Sequence, residues 1–326
     1  MTKLSIGNVR LDNNIILAPM AGITDSPLRR LAKSCGASLV YTGMISAKSI
    51  LYNSKKTKSL LRISNDEKPI SVQIFGDDAY TMAEAAKTIR DMGIDIIDIN
   101  LGCPANKVVK TGAGSKLLSN EKLVSEILEC VVKSVDIPVT AKIRIGILPE
   151  ENVASRIVRI AQNCGVKMLA IHARSVSQRH FGAPNLKLFA EACRDAKIPI
   201  IANGGITDEK TAINFMRIPN CKGIMIGRGA IGNYSIFKGL VDFFNNGNKL
   251  YSSSKTERMI WLKKHIEYSI EHYGEKKGLI VIRKIFNYYI KNLHNAAKIR
   301  EIFNKIGTLS DFNKLIRFFG LSDIGL

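Results

Sequence analysis

Short apolar, β-branched runs recur along the first 245 residues, and stretches with helical spacing separate them. The runs occupy 15–18, 39–42, 70–74, 96–100, 139–143, 168–172, 198–203 and 223–227. The clearest helical patterns lie at 79–92, 122–134, 152–164 and 208–216. Several runs are almost unbroken in apolar character, as strands buried on both faces must be. Eight such strands with helical crossovers in about 250 residues match the count and size of a closed parallel (β/α)8 TIM barrel, an α/β fold. An open doubly wound sheet is the rival arrangement, and the number eight disfavours it.

The pattern changes at Asn245-Asn246-Gly247-Asn248 and Ser252-Ser253-Ser254, a turn-rich stretch that reads as a domain boundary. We therefore expect a barrel domain over 1–245 and a second domain over 249–326. No strand pattern follows the boundary. Trp261, Leu262, Ile266 and Ile270, then Ile282, Ile285, Phe286 and Tyr289, fall at helical spacing and predict three or four helices.

Charge divides unevenly between the two parts. The chain carries a formal +20. Residues 249–326 hold 15 Lys/Arg against 7 Asp/Glu, a net +8 in 78 residues, roughly twice the density of the barrel. Such an excess draws in polyanions, nucleic acid above all; a lysine-rich compositional bias is the plainer reading of the charge alone. No stretch approaches the ~20 unbroken apolar residues of a membrane helix. The N-terminal dozen residues have no apolar core of the secretory kind. The six cysteines stand at least 27 residues apart, without zinc or redox spacing. A reduced cytoplasmic protein without membrane or metal is expected.

The buried runs stop at Pro19, Met20, Ala21 and Gly22; Gln73; Asn100 with Cys103; Lys142; His172; Asn203, Gly204 and Gly205; and Gly227 and Arg228, a set in which polar residues and glycines recur. In a closed barrel these ends form one rim, where active sites lie. Glycines at the ends of the seventh and eighth strands, with Arg228 beside them, suit a phosphate group, since backbone N–H groups approach closely and a guanidinium adds a charged fork. Either glycine group alone would merely mark a turn. Lys142 closes an apolar strand, a position that calls for an anion. In Asn100-Leu101-Gly102-Cys103-Pro104-Ala105-Asn106-Lys107, a glycine and a proline bend the chain around Cys103 and hold its thiol out on a loop. The other five cysteines sit in helical or strand-like runs, as small apolar residues do.

With these motifs in place, the chain resembles the tRNA-dihydrouridine synthase family, and the bacterial B-type subfamily in particular. The resemblance rests on Leu17-Ala18-Pro19-Met20-Ala21-Gly22-Ile23-Thr24-Asp25, Ser71-Val72-Gln73-Ile74-Phe75-Gly76 and Asp98-Ile99-Asn100-Leu101-Gly102-Cys103-Pro104 with Lys107-Val108. Gly112-Ala113-Gly114-Ser115, Ala202-Asn203-Gly204, Gly227-Arg228-Gly229-Ala230-Ile231-Gly232-Asn233 and Arg283-Lys284 near Tyr288-Tyr289 extend it over nearly the whole chain.

That resemblance implies FMN as prosthetic group and NADPH as reductant. It implies a flavin site made by Pro19, Met20, Ala21, Gln73, Lys142, His172, Asn203, Gly204, Gly205, Gly227 and Arg228, and Cys103 as proton donor. Asn100, Lys107 and Arg174 would meet the uridine, and Arg283 and Lys284 the tRNA, bound by a monomer. The chain departs from the family pattern at Gly43, Ala173 and Gly205 and in the irregular loop 178–182. Two other readings fit parts of the sequence. A dihydroorotate dehydrogenase would also place a Cys near flavin but has no use for a basic helical appendage. A non-catalytic RNA-binding barrel would need neither Cys103 nor a phosphate cradle.

Overall fold

In the computed structural model, residues 3–52, 54–248 and 253–319 are described. Their strands are β1 Ser5–Ile6, β2 Val9–Arg10, β3 Ile15–Leu17, β4 Val40–Tyr41, β5 Ile45–Ser46, β6 Ile70–Phe75, β7 Ile96–Asn100, β8 Val139–Arg144, β9 Met168–His172, β10 Ile200–Asn203 and β11 Cys221–Ile226. The parallel order β3-β11-β10-β9-β8-β7-β6-β4 runs around a barrel. A parallel bridge between Ile16 and Leu39 joins its two ends, and Leu17 N–H donates to the Leu39 carbonyl at 2.9 Å. The eight expected strands are the eight staves of a parallel TIM barrel, with ends differing by one or two residues. Similar solved structures, given below, share this fold.

Three short strands went unread in the sequence. β5 pairs with β6 beyond the end of β4. β1 and β2 form a hairpin ahead of the first stave. Leu4, Ile6 and Leu11 of the hairpin region join inward residues of the barrel, Ile16, Tyr41, Ile96, Met168, Ala170, Ile201 and Met225, in one buried cluster. The hairpin thus plugs the end of the barrel where the strands begin, leaving the other end open for chemistry.

The expected helices are present as Ala79–Asp91, Glu121–Ser134, Ala154–Asn163 and Glu209–Met216. Asp78, Asn120 and Asp208 cap three of them by accepting from backbone N–H groups of the first turn. A further helix, Ser235–Asn246, runs two residues into the expected boundary and stops at Gly247, whose φ of 74° is left-handed. Ser252 of that boundary lies outside the described residues.

Beyond it come helices Lys255–Tyr273, Glu275–Ile282, Phe286–Tyr289, Ala296–Phe303 and Leu309–Phe318. Three or four were expected; the additional one is the single turn Phe286–Tyr289, too short to carry a readable period. Phe286 stacks on Phe303 with ring centroids 3.8 Å apart. The apolar cluster outside the barrel wall continues through Leu262, Ile266, Ile282 and Phe286, so the helical part shares the barrel's outer core. Polar bonds reinforce this seam: Arg30 pairs with Glu271 at 2.8 Å, and Tyr273 Oη donates to Asp25 at 3.1 Å. Among the described residues, no helix is long and apolar enough to cross a membrane.

Candidate active site

The strand ends converge on a cavity of about 810 Å³, within the roughly 300–1,000 Å³ range of small-molecule and cofactor sites. Pro19, Met20 and Ala21 follow β3; Gln73 lies on β6; Asn100 closes β7, with Cys103 and Lys107 in the loop beyond. Lys142 lies on β8, His172 closes β9 and Arg174 follows it. Asn203, Gly204 and Gly205 follow one another at the end of β10, and Gly227 and Arg228 come after β11. All of these line the cavity. Arg283 and Lys284 do not. Arg283 donates from Nη2 to the Ile306 carbonyl at 3.0 Å within the helical part, while Lys284 is exposed. Of the tyrosines beside them, Tyr289 is fully buried and only Tyr288 reaches the surface.

Local hydrogen bonds set the wall. Asn100 Oδ1 accepts from Cys103 N–H at 2.9 Å and Gly102 N–H at 3.2 Å, so the turn that carries the thiol is anchored to the strand before it. Ser115 N–H donates to the Cys103 carbonyl at 3.0 Å. Lys142 Nζ donates to Asn203 Oδ1 at 2.9 Å, and Asn203 Nδ2 donates to the Met225 carbonyl at 2.7 Å, tying β8, β10 and β11 together beneath the cavity. Gly204 sits at φ 109°, and a Cβ there would come within 2.3 Å of His172 Cδ2. Its lack of a side chain makes room for the histidine ring.

The lining is cationic. Lys107, Lys142, Arg144, Arg174, Arg179 and Arg228 contribute to it, and among the described residues no Asp or Glu does. Burial, with help from the Arg144 charge, lowers the Lys142 ammonium to about 8, although Asp98 and Cys103 oppose the shift. Burial also lowers Arg144 to about 10. His172 is held well below its ordinary value and His180 at about 4, burial first and the neighbouring cations second, so both rings are neutral at pH 7. Asp98, fully buried in the interior beneath, is raised by burial to about 6, with the Thr140 and Gln73 hydrogen bonds and the Lys142 charge opposing the shift. So many cations around one hollow suit an anionic ligand.

Several lining residues escaped the sequence reading. Arg144 follows Lys142 by two on one strand and therefore points the same way, which the spacing could have revealed. It donates to the Gly102 carbonyl at 3.1 Å and the Ser175 carbonyl at 2.8 Å, linking the Cys103 turn to the loop after β9. Arg179 and His180 belong to that irregular loop, whose backbone has no sequence period. Met44 and Thr207 also line the cavity without distinguishing chemistry.

The family model described as dihydrouridine synthase (Dus) matches residues 16–319. The chain is 37% identical over 308 residues to tRNA-dihydrouridine synthase B of Pseudomonas syringae pv. tomato, covering 94% of this chain and 91% of that protein. It is 37% identical over 299 residues to a probable tRNA-dihydrouridine synthase of Rickettsia prowazekii, covering 91% of each. Among solved structures, morphinone reductase superposes with a TM-score of 0.56 at 12% identity, over 79% of this chain and 92% of that one. A histamine dehydrogenase from Rhizobium reaches 0.58 at 12% identity, over 82% of this chain and 50% of that one. At such identities the superpositions speak for the barrel fold alone.

Proposed function

Because this chain belongs to the dihydrouridine synthase family, we propose that it is the FMN-dependent, NADPH-driven enzyme that reduces the C5–C6 double bond of specific uridines in tRNA. One observation carries the reading: a thiol on an anchored turn shares a cavity with a ring of cations and, among the described residues, no carboxylate. The donor set fits FMN. Arg228 and the backbone around Gly204, Gly205 and Gly227 would hold the phosphate, and Lys142 would face the electron-rich edge of the isoalloxazine, with Pro19, Met20, Ala21, Gln73, His172 and Asn203 completing the contacts. Bound FMN would supply the hydride for C6, chemistry that side chains lack.

The chain's own residues do the rest. Cys103 delivers a proton to C5 and regains one from solvent. Asn100, Lys107 and Arg174 orient the uracil. A stacked uracil cannot enter such a cavity, so the nucleotide is extruded from the tRNA. The barrel, 1–245, carries the chemistry, and the helical part, 249–326, grips the tRNA backbone, where phosphate contacts position a substrate. We place the enzyme in the cytoplasm as a monomer.

The test uses purified protein, NADPH and tRNA transcript without modified bases. A yellow protein that releases FMN on denaturation, and tRNA gaining dihydrouridine by mass spectrometry, are the expected results. Turnover of dihydroorotate in place of tRNA would move the assignment to free-pyrimidine chemistry, and a colourless protein that only binds tRNA would remove the enzyme.

A further inference from the structure

Beneath the Cys103 turn runs a chain of side chains that ends on a buried carboxyl group. Asp98, fully buried on β7, accepts from Thr140 Oγ1 at 2.6 Å through Oδ1 and from Gln73 Nε2 at 2.7 Å through Oδ2. Gln73 Oε1 accepts from Asn100 Nδ2 at 2.8 Å. Asn100 Oδ1 in turn accepts from the Gly102 and Cys103 N–H groups.

An amide side chain can be turned end for end at little steric cost, and each orientation offers a different pattern of donors and acceptors. A carboxyl group that accepts through both oxygens, as Asp98 does from Thr140 and Gln73, has no such freedom. Gln73 must therefore give its NH2 end to Asp98, which leaves its oxygen for Asn100. Asn100 must then give its NH2 end to Gln73, which leaves its oxygen for the Cys103 turn. If either amide turned over, two acceptors or two donors would face each other in a buried chain.

We propose that Asp98 is a positioning residue that fixes, through Gln73 and Asn100, the polarity of the hydrogen bonds holding the Cys103 turn. Asp98 is not itself a lining residue and does not touch the thiol; it acts by removing the end-for-end freedom of two amides. The kinetic part of its test rests on the function proposed above; the structural part does not.

Two substitutions separate polarity from bulk. In Asp98→Asn the new amide still accepts from Gln73 and donates to Thr140, whose hydroxyl has an outlet in the Ile97 carbonyl at 3.5 Å. The order along the chain survives. In Asp98→Leu it is lost. Hydrogen exchange followed by mass spectrometry on the holoenzyme should find the Gly102 and Cys103 amides of the Leu variant exchanging on the order of tenfold faster, the equivalent of losing one buried hydrogen bond. Those of the Asn variant should stay close to the parent, and the β8 amides should be protected in both. With tRNA as substrate, Asp98→Leu should lower kcat by roughly 10²-fold, as a misplaced reacting group does, with KM for tRNA little changed, and Asp98→Asn should restore most of the rate.

If Asp98→Leu does not fold, Asp98→Asn combined with Thr140→Val asks the same question at nearly constant volume. Its amide has no fixed acceptor for Nδ2, so the protection that Asp98→Asn keeps should be lost. Unchanged exchange in the Leu or double variant, equal loss in Asp98→Asn alone, or faster exchange without a fall in kcat would each overturn the proposal. A parent enzyme that makes no dihydrouridine would instead overturn the function, and the exchange results would still decide the role of Asp98.

Discussion

Cys103 differs from the other cysteines in its surroundings more than in its chemistry. Burial pushes Cys193 up to about 12 and Cys221 to about 11, which leaves both inert at neutral pH. Cys103 is half-buried on a turn facing the cavity, which Lys142 and Arg144 also line. In the proposed role of proton donor it would be used only once substrate is present. Cys103→Ala should therefore let NADPH bleach the flavin at the parental rate, while reoxidation by tRNA slows by about 10²–10⁴, the usual worth of a positioned acid. Stopped-flow absorbance resolves the two half-reactions, and parental reoxidation in the variant would take Cys103 out of the chemistry. Arg228 sits at the rim rather than in the core, so Arg228→Ala should leave the melting temperature intact and weaken FMN retention. A lost charge-assisted hydrogen bond is worth about 1.5–3 kcal/mol, roughly tenfold or more in affinity. Flavin held through dialysis as firmly as in the parent would put the phosphate elsewhere.

At the scale of elements, strand ends and the residues packed on them act as units. Gly204 follows β10 at φ 109° and leaves the His172 ring its space. Gly204→Ala combines a steric clash with a backbone conformation that costs a side-chain-bearing residue roughly 1–3 kcal/mol; a lowered melting temperature together with reduced FMN content is the expected outcome, and a variant as stable as the parent would argue that the β10 turn relaxes freely. In the helical part, His265 Nδ1 meets Tyr289 Oη at 2.6 Å and burial lowers the ring to about 3. The folded state then refuses a proton that the unfolded chain accepts below about pH 6.5. Stability is accordingly full above that pH and falls as pH drops towards 3, by about 2 kcal/mol at pH 5. Urea unfolding at pH 7.5 and pH 5 should reveal the loss, and His265→Gln should flatten the difference. The eight staves were legible because two-sided burial imposes long apolar runs, and the rim residues because a polar residue at the end of such a run is conspicuous. Asp98 was legible in principle as an acid inside Ile96-Ile97-Asp98-Ile99, but its partners Gln73 and Thr140 come from neighbouring strands that only the closed sheet brings together. The β1–β2 hairpin was not legible, since two-residue strands carry no period, and neither was the loop of Arg179 and His180, which has no regular backbone.

For the whole molecule the governing quantity is charge, +20 in total, and where it is free to act. The helical part is docked on the barrel through Arg30 and Glu271, with the Arg30 guanidinium also 4.0 Å from the centroid of the Tyr268 ring, so its surface lysines keep a fixed relation to the cavity. A tRNA held there with 6–10 phosphate contacts would release counterions, and its affinity would fall by roughly 10³–10⁵ between 50 and 200 mM salt. The sequence treats Arg283 and Lys284 as one basic pair, but the fold separates them. Arg283 is half-buried and bonded to the Ile306 carbonyl, so Arg283→Ala should show first as reduced resistance to urea. Lys284 is exposed and, among the described residues, makes no ion pair, so its charge could meet a phosphate. Lys284→Ala should lower tRNA affinity at 50 mM salt and reduce the slope of log affinity against log salt by about 1, with flavin content and NADPH oxidase activity unchanged. Filter binding across a salt series measures both quantities. If the slope in Lys284→Ala matches the parent, Lys284 meets no phosphate and the contact must come from another part of the positive surface. If the parent itself has a slope near zero, tRNA is not held by its backbone, and the assignment of residues 249–326 to tRNA binding falls with it.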